Sequence, residues 1–345
     1  MRHFRLLLLC AATAGCASTA RAPAPSPASL QLPARWQSPL DVTHPLVGRI
    51  WDPAMQAWRT GDEVLARLLA ADVVLLGETH DNPDHHLLQA AVLDALVRSG
   101  RSPSVAWEMM DVDQQATLDG YLRGSNVTTD GVGHVVQWEE RGWPEWDMYA
   151  PIARVALTAK LSLLAANLPL ARVRALIRQG PGALSSTERA ALHLDTPFPP
   201  ELQAAVEEEM SLSHCGHLPT EMLPAMALAQ RARDAQMAQV IRNAKPPVVL
   251  ISGAGHARTD RGVPFHLRAQ SPSLRVVSVA FQEVAPEAQE PTGYRELYGA
   301  DVIPFDLVWF TPRLPEEDAC ARIPHPAPKP KPPTLRTAPP VTVDI

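Results

Sequence analysis

The sequence predicts an α/β protein with a mostly parallel central sheet flanked by helices, interrupted by an all-helical insertion. Three observations carry this expectation. Short, wholly apolar runs such as Val73-Val74-Leu75-Leu76 and Val248-Val249-Leu250-Ile251 recur as strands buried on both faces require. Stretches with helix caps and 3.6-residue spacing lie between them. Between Leu170 and Ala244 strand patterning disappears, which leaves about seventy residues to helices beside the sheet.

In chain order, residues 46–51 read as a short first strand. Thr60 and Glu63 have capping-box spacing, predicting a helix over 61–70 that feeds a strand at 73–76. Asn82 suits an N-cap, Pro83 the first helical position, Asp84 the helix dipole and Gly100 a left-handed C′ residue, so a helix spans 83–99. A strand at 104–109 follows, then a helix opened by Asp111 and Gln114. Residues 126–147 read as loop and hold Trp138, Trp143 and Trp146. Asp147 is expected to cap a helix over 148–160 that carries Tyr149. A third strand, 161–166, ends in Asn167. In the insertion Ser185 and Glu188 cap one helix, and Met222, Leu223, Met226, Met237, Val240 and Ile241 mark the apolar side of a longer one. Strands return at 247–252, 275–281 and 305–310, the last expected antiparallel at an edge, with a helix at 263–269.

The chain has 345 residues, 46% of them hydrophobic, enough to bury a sizeable core. Its formal charge of −6, without a Lys/Arg stripe, gives no reason to expect nucleic acid. The 35 prolines concentrate toward the two ends. Residues 17–45 are therefore expected to be an extended tether, 46–312 the domain with its insertion at about 170–244, and 313–345 a disordered tail. Arg2 and Arg5 precede an apolar run broken at Thr13-Ala14-Gly15-Cys16, too short to span a bilayer and typical of an export signal. The small residues before Cys16 resemble a bacterial lipobox. That resemblance implies lipidation of Cys16 and, with no Asp following, anchoring at the outer membrane facing the periplasm. Cys215 and Cys320 are then left in an oxidising compartment, where a disulfide between them is expected.

The chemistry gathers at strand ends. Glu78 and His80, Glu108, Asn167 and His256 each stand just past an apolar run, and a parallel sheet binds ligands at that edge. Two readings stay open. Glu78, His80 and His256 suit a divalent metal such as zinc or manganese, with Glu108 as general base. Alternatively His80, paired with Glu78 or Glu108, activates water directly. His85 and His86 either turn one ring into this cleft or face solvent as a pair. His214-Cys215-Gly216-His217 is either a ligand set for a transition metal or haem iron, or a disulfide cysteine flanked by exposed histidines. Tyr149 is either a phenolate ligand for ferric haem or a buried tyrosine with an ordinary hydrogen bond.

Several motifs together carry a family resemblance: GETHDN with the following His85-His86, VAWEMMD, the W-x-x-Y-x-P segment at 146–151, LAANLP, AQRARDAQMA and GAGHARTDRGVP. They resemble the ChaN-like haem-binding lipoproteins, of a superfamily that includes Tiki-type metalloproteases, TraB-like proteins and erythromycin-esterase-like hydrolases. The resemblance implies an anchored haem binder serving iron acquisition, self-associating around its ligand as a homodimer. It equally implies a strand-end site at Glu78, His80, Glu108 and His256, with catalytic use in the hydrolase branches. With haem as ligand, the candidate haem-binding residues are those read above from the residues themselves, Tyr149, His214 and His217.

Overall fold

The structure is a computed structural model that describes residues 29–30 and 33–315. The signal, Cys16, Cys320 and nearly all of the Pro-rich tail lie outside the described residues. The elements are β1 (Ile50–Asp52), β2 (Ala57–Arg59), α1 (Gly61–Ala70), β3 (Val73–Glu78), α2 (Pro83–Arg98), β4 (Ser104–Asp111), α3 (Gln115–Leu122), α4 (Thr129–Val135), α5 (Trp146–Thr158) and β5 (Leu163–Asn167). The insertion holds α6 (Leu170–Gln179), α7 (Ser186–Ala191), α8 (Pro200–Ser213) and α9 (Leu223–Asn243). After it come β6 (Val248–Gly253), α10 (Ala254–Ala257), α11 (Val263–Gln270), β7 (Val276–Glu283) and β8 (Leu307–Thr311).

Eight described strands form one sheet in the order β2-β1-β8-β7-β3-β6-β4-β5. From β8 to β5 every neighbour is parallel. The late strand β6 lies between β3 and β4, and the carboxyl ends of β3, β6, β4 and β5 stand side by side at about 4.8 Å spacing. Two expectations are corrected here. β8 lies inside the sheet, parallel to β7, and the antiparallel edge is the β1-β2 hairpin, whose second strand has no alternating signature. The 126–147 segment is not wholly loop, since it contains α4 and a 3₁₀ turn at Glu139–Arg141.

Alternation along β3 divides the core. Val74 and Leu76 join one cluster with Leu65, Leu88, Leu93 and Ile152, while Val73 and Leu75 join another with Met237, Ile241, Val263 and Leu267. Helices α1, α2 and α5 thus cover one face, and α9 and α11 the other. The insertion has a small core of its own around Leu176, Leu184, Leu192 and Ala232. Thr60 and Glu63 form the expected capping box, and the Asn82 side chain accepts from Asp84 and His85 N–H. Asp147 lies within α5, whose N-cap is Glu145. Packing begins before residue 46: Ser38 is buried with its N–H on Asp84, and Leu40 bridges to Arg313.

Candidate functional site

The register of the parallel strands assembles the site. Glu78, the last residue of β3, stands opposite Gly253 of β6, and Trp107 opposite Ile251, so Glu108 arrives at the same edge. The four-residue α10 then turns His256 back over that edge. Gly77 lets α10 pack there, because a Cβ would lie 2.7 Å from the Ala257 Cβ and 2.9 Å from the Ala254 Cα.

Glu78, His80, Glu108 and His256 meet in one cluster, with Asn167 at its side. The Glu78 carboxylate is buried, and its Oε1 accepts from His80 Nδ1 at 2.6 Å and from the Tyr149 hydroxyl at 3.1 Å. His80 is the accessible member, with 34% of its side chain exposed. Glu108 is the hub. Its Oε1 accepts from Arg233 Nη2 at 2.6 Å and faces His256 Nε2 at 3.1 Å and His80 Nε2 at 4.0 Å; its Oε2 accepts from Gly253 N–H at 2.7 Å. Arg233 also donates from Nε to Asn167 Oδ1 at 3.2 Å. Behind His256, Asp234 Oδ1 accepts from Nδ1 at 2.6 Å.

These contacts set the protonation states. Burial works against a charged His256, but the Glu108 and Asp234 carboxylates outweigh it and raise its pKa to about 9. For His80 burial is likewise overcome, here by the bond and charge of Glu78, so its pKa is raised. Burial alone would push Glu108 up, yet the charges of His256, Arg233 and His80 hold it well below the usual carboxylate range. Asp234 is raised by burial, with the His256 ion pair acting against that. Three carboxylates are matched by two imidazoles and a guanidinium, and this near-neutral balance lets so many ionisable groups share a buried site.

Arg233 and Asp234 come from α9 in the insertion, and the sequence reading assigned them no role. A signal was there: Asp234 shares its helix face with Ala227, Ala238 and Ile241, all buried. An acid on an apolar stripe needs a partner. The metal set expected at Glu78, His80 and His256 is corrected, because no described group of three His, Cys, Asp or Glu side chains is placed to hold a metal ion. His80 Nδ1 is committed to Glu78 and both His256 nitrogens face carboxylates, so of the four ring nitrogens His80 Nε2 alone keeps a lone pair to offer, too few for an ion.

The other expected residues fall outside the cluster or change role. Tyr149 is wholly buried and packed on His86, with ring centroids 3.9 Å apart. Burial, reinforced by Glu78, pushes its phenol well above the ordinary range, and its hydroxyl is donated to Glu78 with no part of the side chain reaching solvent. His85 and His86 are both buried, against either expectation for them. His85 Nδ1 accepts the Thr79 N–H, which fixes the proton on Nε2 toward Thr311, while His86 Nε2 donates to the His80 carbonyl. His214 closes α8 by donating from Nδ1 to the Met210 carbonyl. His217 is half-buried beyond it, and Cys215 is disulfide-bonded.

A cleft of about 1390 Å³ adjoins the cluster. Trp138, Trp143 and Trp146 line it, and the Trp143 ring packs edge-on against His80 with centroids 5.0 Å apart. The cleft and the cluster hang from the same strand, since Trp143 Nε1 and Arg141 Nε both donate to the Met109 carbonyl of β4. Gly133 of α4 allows Trp146 to lie against the helix, for a Cβ would stand 2.8 Å from the indole. His134 is the imidazole on the cleft lining, and it is exposed. The lining also carries seven carboxylates, of which Asp111 is paired with Arg141 at 2.5 Å.

A mostly parallel sheet with an acid-and-imidazole cluster at its carboxyl edge, completed by a helical insertion and flanked by a tryptophan cleft, defines an α/β ligand-binding protein. The family described as haem-binding uptake, Tiki superfamily, ChaN, matches residues 64–267, more than half of the chain, and the chain belongs to that family. Among solved structures it is similar to ChaN of Campylobacter jejuni, described as cofacial haem binding, at TM-score 0.60 and 22% identity over 75% of this chain and 95% of that one. An erythromycin esterase in its open conformation aligns more loosely, at TM-score 0.41 and 13% identity over 75% of this chain and 95% of that one. Among curated proteins, RETICULATA-RELATED 5 of Arabidopsis thaliana is 25% identical over 80% of this chain, which spans 39% of that relative's length.

Proposed function

We propose that this protein is a haem carrier of the cell envelope, serving haem and iron acquisition, with haem as cargo in the tryptophan cleft. The observation that carries the reading is the cleft itself. At about 1390 Å³ it exceeds the roughly 300–1,000 Å³ of single small-molecule pockets, and the partly exposed indoles of Trp143 and Trp146, the latter backed by the buried Trp138, offer flat apolar surface that a tetrapyrrole stacks against. Family membership supports the cargo. His134, exposed on the lining, is the candidate axial ligand, in place of the buried Tyr149. The acidic rim directs the propionates outward to solvent. Anchoring through lipidated Cys16 at the outer membrane, facing the periplasm, and closure of a homodimer around haem complete the proposal. No helix among the described residues is long and apolar enough to cross a membrane, so in this reading attachment rests on the lipid.

Hemin titration followed at the Soret band tests the reading. A saturable shift at micromolar hemin, altered by His134→Ala and unaltered by Tyr149→Phe, is expected. No shift refutes carriage. Light scattering with and without hemin checks the dimer, and loss of acyl labelling in Cys16→Ser checks the anchor.

A further inference from the structure

The acidic rim of the tryptophan cleft turns haem propionates outward, but nothing in haem carriage matches its charge. Of the seven carboxylates on the lining, Asp111 is paired with Arg141, and the other six meet no cation among the described residues. All six are exposed, among them Glu139 and Glu140 beside Trp138, and Asp130 on α4. The complementary charge is present in this chain. After Asp318 no carboxylate occurs until Asp344, and the interval carries Arg322, Lys329, Lys331 and Arg336. Six of the thirteen residues from Pro324 to Arg336 are proline, which presets the polyproline II conformation and leaves little entropy to lose on binding. At three residues per turn Pro330, Pro333 and Arg336 share one face, while Lys329 and Lys331 project on the other two. Proline-rich segments dock in grooves lined by aromatic rings, and the partly exposed Trp143 and Trp146, backed by Trp138, supply one. The segment is also within reach. The described residues end at Pro315, where Leu314 N–H donates to Glu283 Oε1, which also accepts from Asn82, two residues beyond the His80 that packs on Trp143. From Pro315 to Pro328 the chain extends about 40 Å at 3.1 Å per residue, more than the few side chains between Asn82 and Trp143 require.

We propose that residues 324–336 dock in cis in the tryptophan cleft as a polyproline II helix and compete there with haem. The Pro330 and Pro333 face lies on the indoles, and Lys329 and Lys331 reach the carboxylates on the two sides of the groove. Docking stands apart from the haem reading; the competition rests on it. A tether of this length holds its end at an effective concentration on the order of 1 mM, so a segment whose separate-peptide Kd is about 0.1 mM leaves about one chain in ten open. Apparent hemin affinity then falls about tenfold. The attraction is electrostatic at an exposed rim, so salt releases the segment.

Carbodiimide, which couples a lysine amine to a carboxylate in contact with it, tests the docking without hemin, because the chain has four lysines and two of them are Lys329 and Lys331. With the full chain at micromolar concentration and low salt, peptide mapping should find these two joined to Glu139, Glu140 or Asp130 within one molecule. Pro330→Gly with Pro333→Gly keeps every charge and should lower that yield severalfold, by removing the preset helix. Lys329→Gln, Lys331→Gln and Arg336→Gln together should raise hemin affinity about tenfold in a Soret titration, as the cleft opens. Cross-links that miss the cleft, that spread over carboxylates elsewhere, or that form only between isotopically distinct chains overturn docking in cis. A yield unchanged by the glycines overturns polyproline II recognition. Equal hemin affinity in the wild type and the glutamine variant overturns the competition. Hemin bound by neither chain refutes the haem reading instead, and the cross-links still decide the docking.

Discussion

Raising the pH through the titration of His256 is the perturbation whose magnitude follows most directly from the structure. The folded-state pKa, raised to about 9 by Glu108 and Asp234 against burial, stands above an unfolded value of about 6.5. A raised pKa gives stability that is complete below pH 6.5 and lost as pH climbs through 9. At 1.36 kcal/mol per unit the loss is about 3 kcal/mol, a large fraction of the 5–15 kcal/mol typical of a domain. His80 is raised too and adds in the same direction. Asp234 is also raised, but from 3.8, and its contribution is spent on the acid side. Urea denaturation at pH 6.5 and 9.5 in constant salt measures the difference. The His256→Gln variant, with no imidazole to titrate, should keep only a small part of the alkaline loss. Stability that is flat between those pH values, or that falls equally in both proteins, would refute the charge balance assigned to the cluster.

The acid side has the opposite sign. Burial lowers His266 to about 4 and holds His85 well below its ordinary value, so both give stability that is complete above pH 6.5 and lost as pH falls. Melting temperature against pH should therefore peak near neutrality. Asp234→Asn breaks a buried ion pair and should cost about 3–5 kcal/mol by urea denaturation, more than any exposed pair such as Asp94 with Arg98. Gly77→Ala drives a methyl into α10 and should cost about 1–3 kcal/mol in the same assay. Because the cleft rim is acidic, hemin affinity should rise when salt is increased from 20 to about 150 mM, as screening weakens propionate repulsion; affinity that falls with salt would argue against the cleft as the seat.

How much of this was legible in the sequence depends on how local the cause was. The capping box at Thr60 and Glu63 and the Asn82-Pro83 start of α2 act within four residues, and the helices begin where those signals predict. The convergence of Glu78, Glu108 and His256 was legible because apolar runs buried on both faces imply parallel strands, and parallel strands share one carboxyl edge. The placement of β8 was not, since a strand's own pattern says nothing of its neighbours' direction. The three-residue β1 and β2 are too short to alternate. Helix α4 contains Gly131 and Gly133, poor helix formers that are tolerated because Thr128 caps the first turn and Trp146 packs on the bare backbone. Asp234 was legible as an acid on the apolar stripe of α9, but its partner was not, because His256 and Glu108 meet α9 only through the path of that helix across the sheet.

The position of β6 constrains how the molecule comes into being. A nascent chain that has emerged only as far as residue 247 possesses β3 and β4 but not the strand that separates them, and it lacks the imidazole that neutralises Glu108. The gap between β3 and β4 and the charge on Glu108 are thus closed together, by residues 248–256. A chain stopped short of that point exposes the facing edges of β3 and β4 and carries a buried carboxylate without its imidazole partner, both of which disfavour a stable fold before β6 is made.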